Sequence, residues 1–171
     1  LKSADGTQKF LFQLDDGNTV EAVAIPSEDR LTLCVSSEVG CNMACAFCYT
    51  GKQKLKRRLK SHEIVGQFMV VEDLLPPETR ITNIVFMGMG EPFLNYDRVM
   101  AAAALFCYPL DRAVSSKAIT VSTVGLVQEI DRFTEEDRPY RLSISLGAAT
   151  DEKRARLVPV AARTPIRSVI A

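Results

Sequence analysis

The chain has 171 residues, 47% of them hydrophobic, and its 21 basic side chains balance 21 acidic ones to a formal net charge of zero. One sizeable core fits that length, and the charge balance excludes a global pull toward polyanions, so any nucleic-acid contact must come from a local patch. The richest apolar run, Ile64 to Leu75, is interrupted by Gly66, Gln67, Glu72 and Asp73 and is too broken to span a bilayer.

Residues Gln8 to Leu14 alternate loosely, Asp15-Asp16-Gly17-Asn18 is a turn signal, and Thr19 to Ile25 is rich in β-branched and small residues, which predicts a β-hairpin. Pro26-Ser27-Glu28-Asp29 ends it. A strand over Arg30 to Ser36 then delivers the chain into Gly40-Cys41-Asn42-Met43-Ala44-Cys45-Ala46-Phe47-Cys48-Tyr49, where three of the five cysteines fall at a Cys-x3-Cys-x2-Cys spacing. Three thiolates in so short a run converge only if the backbone curls, and Gly40, Ala44 and Ala46 leave room for that. Thiolates hold iron-sulfur clusters, usually four per cubane, so a cubane held by three leaves one iron for a substrate or cofactor. Structural zinc prefers four ligands and would have to recruit His62, the single histidine; reduced thiols in a buried turn are a third reading. An odd cysteine count with closely spaced thiols points to a reducing compartment rather than a disulfide scaffold.

Gly51 to Lys60 is the most basic stretch, with Lys52, Lys54, Lys56, Arg57, Arg58 and Lys60. Such a run reads either as a solvated loop or helix face or, beside a reaction centre, as a phosphate contact for RNA. Ser61 is the predicted cap of a helix running through Ile64, Val65, Phe68, Val71 and Leu75 to Pro76-Pro77. Ile81 to Met87 reads as a buried strand, Asn95 to Cys107 as a helix ending before Pro109, Ala118 to Thr123 as a strand, Val124 to Phe133 as a helix, and Arg141 to Leu146 as a strand. A helical turn over Asp151 to Arg156 and a helix from Thr164 follow. Strand and helix alternate from Leu31 onward, which predicts an α/β fold with four parallel strands and an exposed last edge.

Ligands in such folds sit beyond the carboxyl ends of the strands. Gly88-Met89-Gly90-Glu91-Pro92 follows the second parallel strand, and Pro92 holds Glu91 extended. Thr120-Val121-Ser122-Thr123 ends in hydroxyls that suit a polar ligand or a cap on the next helix. Ser143-Ile144-Ser145-Leu146-Gly147-Ala148 follows the fourth. Cys34 reads as a buried strand cysteine and Cys107 as core.

The cysteine spacing with Phe47 before the third thiol resembles the signature of radical S-adenosylmethionine (SAM) enzymes. With Leu33-Cys34-Val35-Ser36-Ser37-Glu38-Val39-Gly40-Cys41, Thr50-Gly51-Lys52-Gln53 and Met87-Gly88-Met89-Gly90-Glu91-Pro92, the chain resembles the RlmN/Cfr family of RNA adenine methyltransferases from about Glu21 to Ile166. The resemblance implies a partial (β/α) radical SAM barrel holding about four of six β/α units over 31–171, preceded by an N-terminal β-hairpin extension over 1–30. It implies a [4Fe-4S] cluster on Cys41, Cys45 and Cys48, and SAM bound by Gly90, Glu91, Ser122, Ser145, Leu146 and Gly147, with glycine at 147 where family members usually carry histidine.

Glu21 matches a general base, for which burial on an apolar strand would raise the pKa, with a solvent-facing strand residue as the other reading, and Cys34 matches a resolving cysteine. The implied reaction uses two SAM molecules. One methylates a cysteine expected beyond Ala171; the other yields the radical that activates that methyl group for addition to an adenine ring carbon, C2 rather than C8. The implied partners are large-subunit ribosomal RNA, transfer RNA and an electron donor such as flavodoxin or ferredoxin. A cytoplasmic monomer truncated at both ends is expected, or a matrix protein if a targeting peptide was removed. A radical SAM enzyme with another substrate and a zinc-stabilised RNA-binding module are the competing readings.

Overall fold

The computed structural model describes residues 1–108 and 112–170. Among the described residues eight strands form: β1 (Gln8–Gln13), β2 (Thr19–Ser27), β3 (Arg30–Cys34), β4 (Glu38–Val39), β5 (Arg57–Arg58), β6 (Asn83–Phe86), β7 (Ile119–Thr123) and β8 (Arg141–Ile144). The helices are α1 (Ser61–Leu74), α2 (Tyr96–Phe106), α3 (Val127–Glu135), α4 (Asp151–Leu157) and α5 (Ile166–Val169). Six strands make one sheet in the order β1-β2-β3-β6-β7-β8, antiparallel through the hairpin and parallel from β3 to β8. The expected hairpin and four parallel strands are all present, and β8 is an edge.

The strand register assigns the two faces. Ala24, Leu33, Ile84 and Ile119 sit opposite one another across β2, β3, β6 and β7, and all are buried with Val20, Ala22, Phe86 and Val121. They join Ile64 and Val71 of α1, Val99, Ala102, Ala103 and Phe106 of α2, and Phe133 of α3 in one core. Each fully buried Val, Leu, Ile or Phe contributes about 1.5–3 kcal/mol relative to exposure. The opposite face carries Glu21, Val23, Cys34, Val85, Thr120, Ser122 and Ser143, and is the concave side left for chemistry.

Several boundaries differ from expectation. The α1 N-cap is Lys60, not Ser61: Glu63 accepts the Lys60 N–H at 2.7 Å, while the Ser61 hydroxyl donates to the Arg98 carbonyl at 3.1 Å. Val124 to Leu126 precede α3 as a turn, because hydrogen bonds to side chains hold Val124 out of a helical ladder. Pro109 lies outside the described residues. The basic segment is neither plain loop nor helix, since Arg57 and Arg58 pair antiparallel with Val39 and Glu38. Arg57 clamps this ribbon, donating from Nε to Asp16 at 2.5 Å and from both terminal nitrogens to Glu63 at 2.8 and 2.7 Å. One of the six cations is therefore committed to joining the hairpin turn to α1.

Candidate active site

β3 and β4 carry the chain to the cysteine loop, and β5 fixes where that loop lies. A Cβ on Gly40 would meet the Lys54 carbonyl oxygen at 2.3 Å, so only glycine lets the loop rest on the basic segment. The Cys41 N–H donates to the Gln53 carbonyl at 3.2 Å, and Ala44 turns with φ +52°. On the other side, the Ala46 N–H donates to the Leu157 carbonyl at 2.8 Å, and Cys45 packs with Val158 and Ala161. The loop is thus gripped by the basic segment on one flank and by α4 on the other.

All three thiols line one cavity of about 280 Å³, together with Phe47, Gly90, Glu91, Ser122, Ser143 and Ser145. Cys41 and Cys45 are buried and Cys48 is half-buried. Burial pushes the Cys41 thiol up to about 11, against the weaker effect of the Met43 N–H that Sγ accepts at 3.5 Å; burial also raises Cys45, with Cys48 adding to it. Such thiols become thiolates only beside strong positive charge. An all-sulfur donor set with two of its three thiols buried answers to an iron-sulfur cluster. Among the described residues no three His, Cys, Asp or Glu side chains close on a single ion. The three thiols share one cavity wall, which suits a cubane, whose thiolates each take a different iron.

The wall facing the thiols comes from strand ends. Glu91 is extended at φ −106°, ψ 109°, and its carboxylate is buried. Its two oxygens accept the N–H groups of Phe93 at 3.1 Å and Val124 at 3.0 Å, so this side chain ties the exit of β6 to the exit of β7. Burial raises its pKa to about 7 despite those donors. Gly90, at φ +103°, packs against Glu38, whose carboxylate accepts the Glu91 N–H at 3.0 Å. The Ser122 and Ser145 hydroxyls lie 3.3 Å apart, and Thr123 rather than Ser122 serves the following turn, accepting the Gly125 N–H at 3.2 Å. Leu146 and Gly147, expected beside the cofactor, follow Ser145 but are not among the residues that line the cavity. A Cβ on Gly147 would lie 4.0 Å from the Phe47 ring and 3.6 Å from Val158, with room for a side chain.

The two residues expected to do acid-base and thiol chemistry share the concave face but not the cavity wall. Glu21 is not buried as expected: its side chain is 42% exposed and paired with Lys9 at 2.8 Å, because Val20 and Ala22 take the core-facing positions of β2. Cys34 is half-buried, its thiol pushed up to about 11 by burial, with the Met87 N–H opposing.

Sequence reasoning missed the residues that hold these parts together. The Ser36 hydroxyl donates to the Glu21 carbonyl at 2.6 Å and accepts the Met89 N–H at 2.9 Å, while Gln67 of α1 bonds both backbone groups of Ser36 at 2.9 and 3.0 Å. Glu38 and Arg154 are also buried. Arg154 donates to the carbonyls of Val124 at 2.6 Å and Thr164 at 2.8 Å. The adjacent serines of Ser36-Ser37 were the one available signal, since buried serines commonly serve backbone groups.

The pattern of the Radical SAM superfamily matches residues 35–168. The chain belongs to the radical SAM superfamily. Membership brings a [4Fe-4S] cluster and SAM as cofactors, and the three-thiol cavity fits the first of them. The chain is 56% identical over 170 residues to the dual-specificity RNA methyltransferase RlmN of Bdellovibrio bacteriovorus, covering 99% of this chain and 42% of that protein. It is 45% identical to a probable RlmN of Heliobacterium modesticaldum, covering 97% and 45% respectively. The crystal structure of a radical SAM methyltransferase from Sphaerobacter thermophilus superposes with a TM-score of 0.93 at 41% identity, over 99% of this chain and 50% of that one. This radical SAM chain spans a little under half the length of those curated relatives.

Proposed function

We propose that the protein is a radical SAM RNA methyltransferase that places a methyl group on C2 of adenine in large-subunit ribosomal RNA and in transfer RNA. The observation that carries the reading is the single cavity bounded by Cys41, Cys45 and Cys48 on one side and Gly90, Glu91, Ser122 and Ser145 on the other, in a chain 56% identical to a dual-specificity RNA methyltransferase. The three cysteines would hold the cluster. Gly90 and Glu91 would take the amino group of SAM, Ser122 and Ser145 its carboxylate or ribose, and Leu146 and Gly147 would flank it.

The chemistry supplied by the bound cluster is one-electron reduction of the sulfonium cofactor, with the electron coming from a donor such as flavodoxin or ferredoxin. Glu21 offers a carboxylate on the concave face to accept the adenine ring proton. Cys34 on the same face would release the product by attacking the sulfur of the methyl-carrying cysteine, the S–S bond forming as the S–C bond breaks and the freed carbon taking a proton. No described helix is long and apolar enough to cross a membrane, and the reading places the protein in the cytoplasm as a monomer.

The test is mass spectrometry of ribosomal and transfer RNA from a strain lacking the gene. Loss of 2-methyladenosine is the expected result; an unchanged content, or loss of the C8 isomer instead, would contradict it. A second prediction concerns position 147. Gly147→His meets only ordinary contacts but has to adopt φ +72°, at a cost of about 1–2 kcal/mol. The added ring nitrogen is expected to tighten SAM binding several-fold by calorimetry on the cluster-loaded protein, and unchanged or weaker binding would remove position 147 from the cofactor site.

A further inference from the structure

From Lys54 to Lys60 the basic segment alternates strictly: Lys54, Lys56, Arg58 and Lys60 are exposed, Leu55 and Arg57 are half-buried and Leu59 is buried. The alternation follows from backbone geometry. Gln53 (φ −93°, ψ 126°) and Lys60 (φ −77°, ψ 157°) are extended at the two ends, and between them the N–H groups of Lys56 and Leu59 donate to the carbonyls of Val39 and Ser37 at 2.8 and 3.0 Å. In an extended segment alternate side chains share a face and stand about 6.6 Å apart. The outward face is thus a row of four cations, and the inward face is structural.

We infer that this row is a docking rail for the sugar-phosphate backbone of a single RNA strand, with Lys54, Lys56, Arg58 and Lys60 each placed to neutralise one phosphate. The inference rests on the RNA reading above and adds which residues meet the strand, and that one strand rather than a duplex is met. Charge complementarity selects the occupant, because three of the row's four charges, on Lys54, Lys56 and Lys60, have no acidic partner among the described residues, while Arg58 is compensated in part by Glu38. Lys56 bonds the neutral Asn18 amide at 3.1 Å, and Arg58 stands 3.8 Å from Glu38. Arg57, the residue that would break the row, is turned inward and neutralised by Asp16 and Glu63.

Position supports the same occupant. The rail lies along β4, the strand that leads into the cysteine loop, and is joined to that loop by the Leu55 N–H donating to the Asn42 side-chain oxygen at 3.1 Å. Its far end opens into a second cavity of about 230 Å³ whose wall holds Arg58 and Arg98 against the single carboxylate Asp97, itself paired with Arg132. A polyanion tracked along an edge of this kind is held chiefly by counterion release, and a single strand has the flexibility to follow it.

The test is the salt dependence of binding between this chain and a single-stranded RNA oligonucleotide. Two variants with equal loss of charge are compared: Lys54→Gln, Lys56→Gln, Arg58→Gln and Lys60→Gln together, and Arg30→Gln, Arg80→Gln, Lys117→Gln and Lys153→Gln together, the latter four being exposed cations elsewhere. Thermal melts confirm that both variants fold. The rail variant is expected to reduce the slope of log K against log salt by roughly 2 to 3, and the off-rail variant by less than 1. Equal changes in the two variants, no change in the rail variant, or tighter binding of a duplex of the same sequence would overturn the rail while leaving the RNA reading intact. Failure of the unsubstituted chain to bind RNA at low salt would overturn both.

Discussion

Gly90→Ala is expected to lower the stability of the chain by about 3 kcal/mol or more and to abolish SAM binding. The backbone at 90 stands at φ +103°, and a Cβ built there lies 2.5 Å from the Glu38 Cβ, 2.7 Å from its Cγ and 2.8 Å from its backbone nitrogen. Two costs combine: a non-glycine residue in that region of backbone space, about 1–3 kcal/mol, and overpacking of a filled site, about 1–3 kcal/mol. Glu38 has no route of retreat. It is fully buried, its carboxylate accepts the Glu91 N–H, and its own N–H and that of Ser37 donate to the Met89 carbonyl at 3.1 and 2.8 Å. Relief therefore requires the loop after β6 to leave β4, which dismantles one wall of the cavity. Urea unfolding measures the first effect, and a midpoint equal to that of the parent chain would contradict the packing described.

The second large effect is a stability that falls as pH rises, with Glu91 as its main source. Burial raises the carboxyl from its ordinary 4.5 to about 7, so the folded chain holds this proton more tightly than the unfolded chain. The contribution is fully present below about pH 4.5 and is lost as pH rises through about 7. A shift of that size corresponds to about 3 kcal/mol. Glu38, raised by the same cause, acts in the same direction, whereas Cys41 and Cys34, pushed up to about 11, stay neutral throughout the window. Glu91→Gln removes most of the slope. At low pH it also costs about 1–3 kcal/mol, because one amide oxygen cannot accept both the Phe93 and the Val124 N–H. Denaturation midpoints of the cluster-free, reduced chain from pH 4.5 to 8 give the comparison, and a variant that keeps the parent slope would show that the titrating group lies elsewhere.

What the sequence revealed and what it concealed divide along one physical line. The hairpin, the four parallel strands and the cavity of three thiols were legible because each rests on a local pattern: a turn signal, an apolar run, a spacing. The β4–β5 ribbon was not legible, since two residues per strand leave no periodicity to read and its pairing joins Glu38 to Arg58 across the whole cysteine loop. The burial of Glu38 and Arg154 was hidden for a related reason. A charged side chain goes inside only when distant backbone groups meet it, as the Glu91 N–H meets Glu38 and the Val124 and Thr164 carbonyls meet Arg154. For Glu21 the solvent-facing reading was the better of the two, because the alternation of Val20, Glu21 and Ala22 already puts the carboxylate on the face opposite the core.

Anaerobic reconstitution of the chain with iron and sulfide, read by absorbance and by electron paramagnetic resonance after reduction, tests the central claim most directly. The parent chain is expected to turn brown, to carry about four irons with acid-labile sulfide, and to give a reduced-cluster signal that SAM perturbs. Alanine at Cys41, Cys45 or Cys48 should remove that signal, whereas Cys107→Ala should keep it. A colourless parent chain, or a signal that survives substitution of all three loop cysteines, would contradict the account.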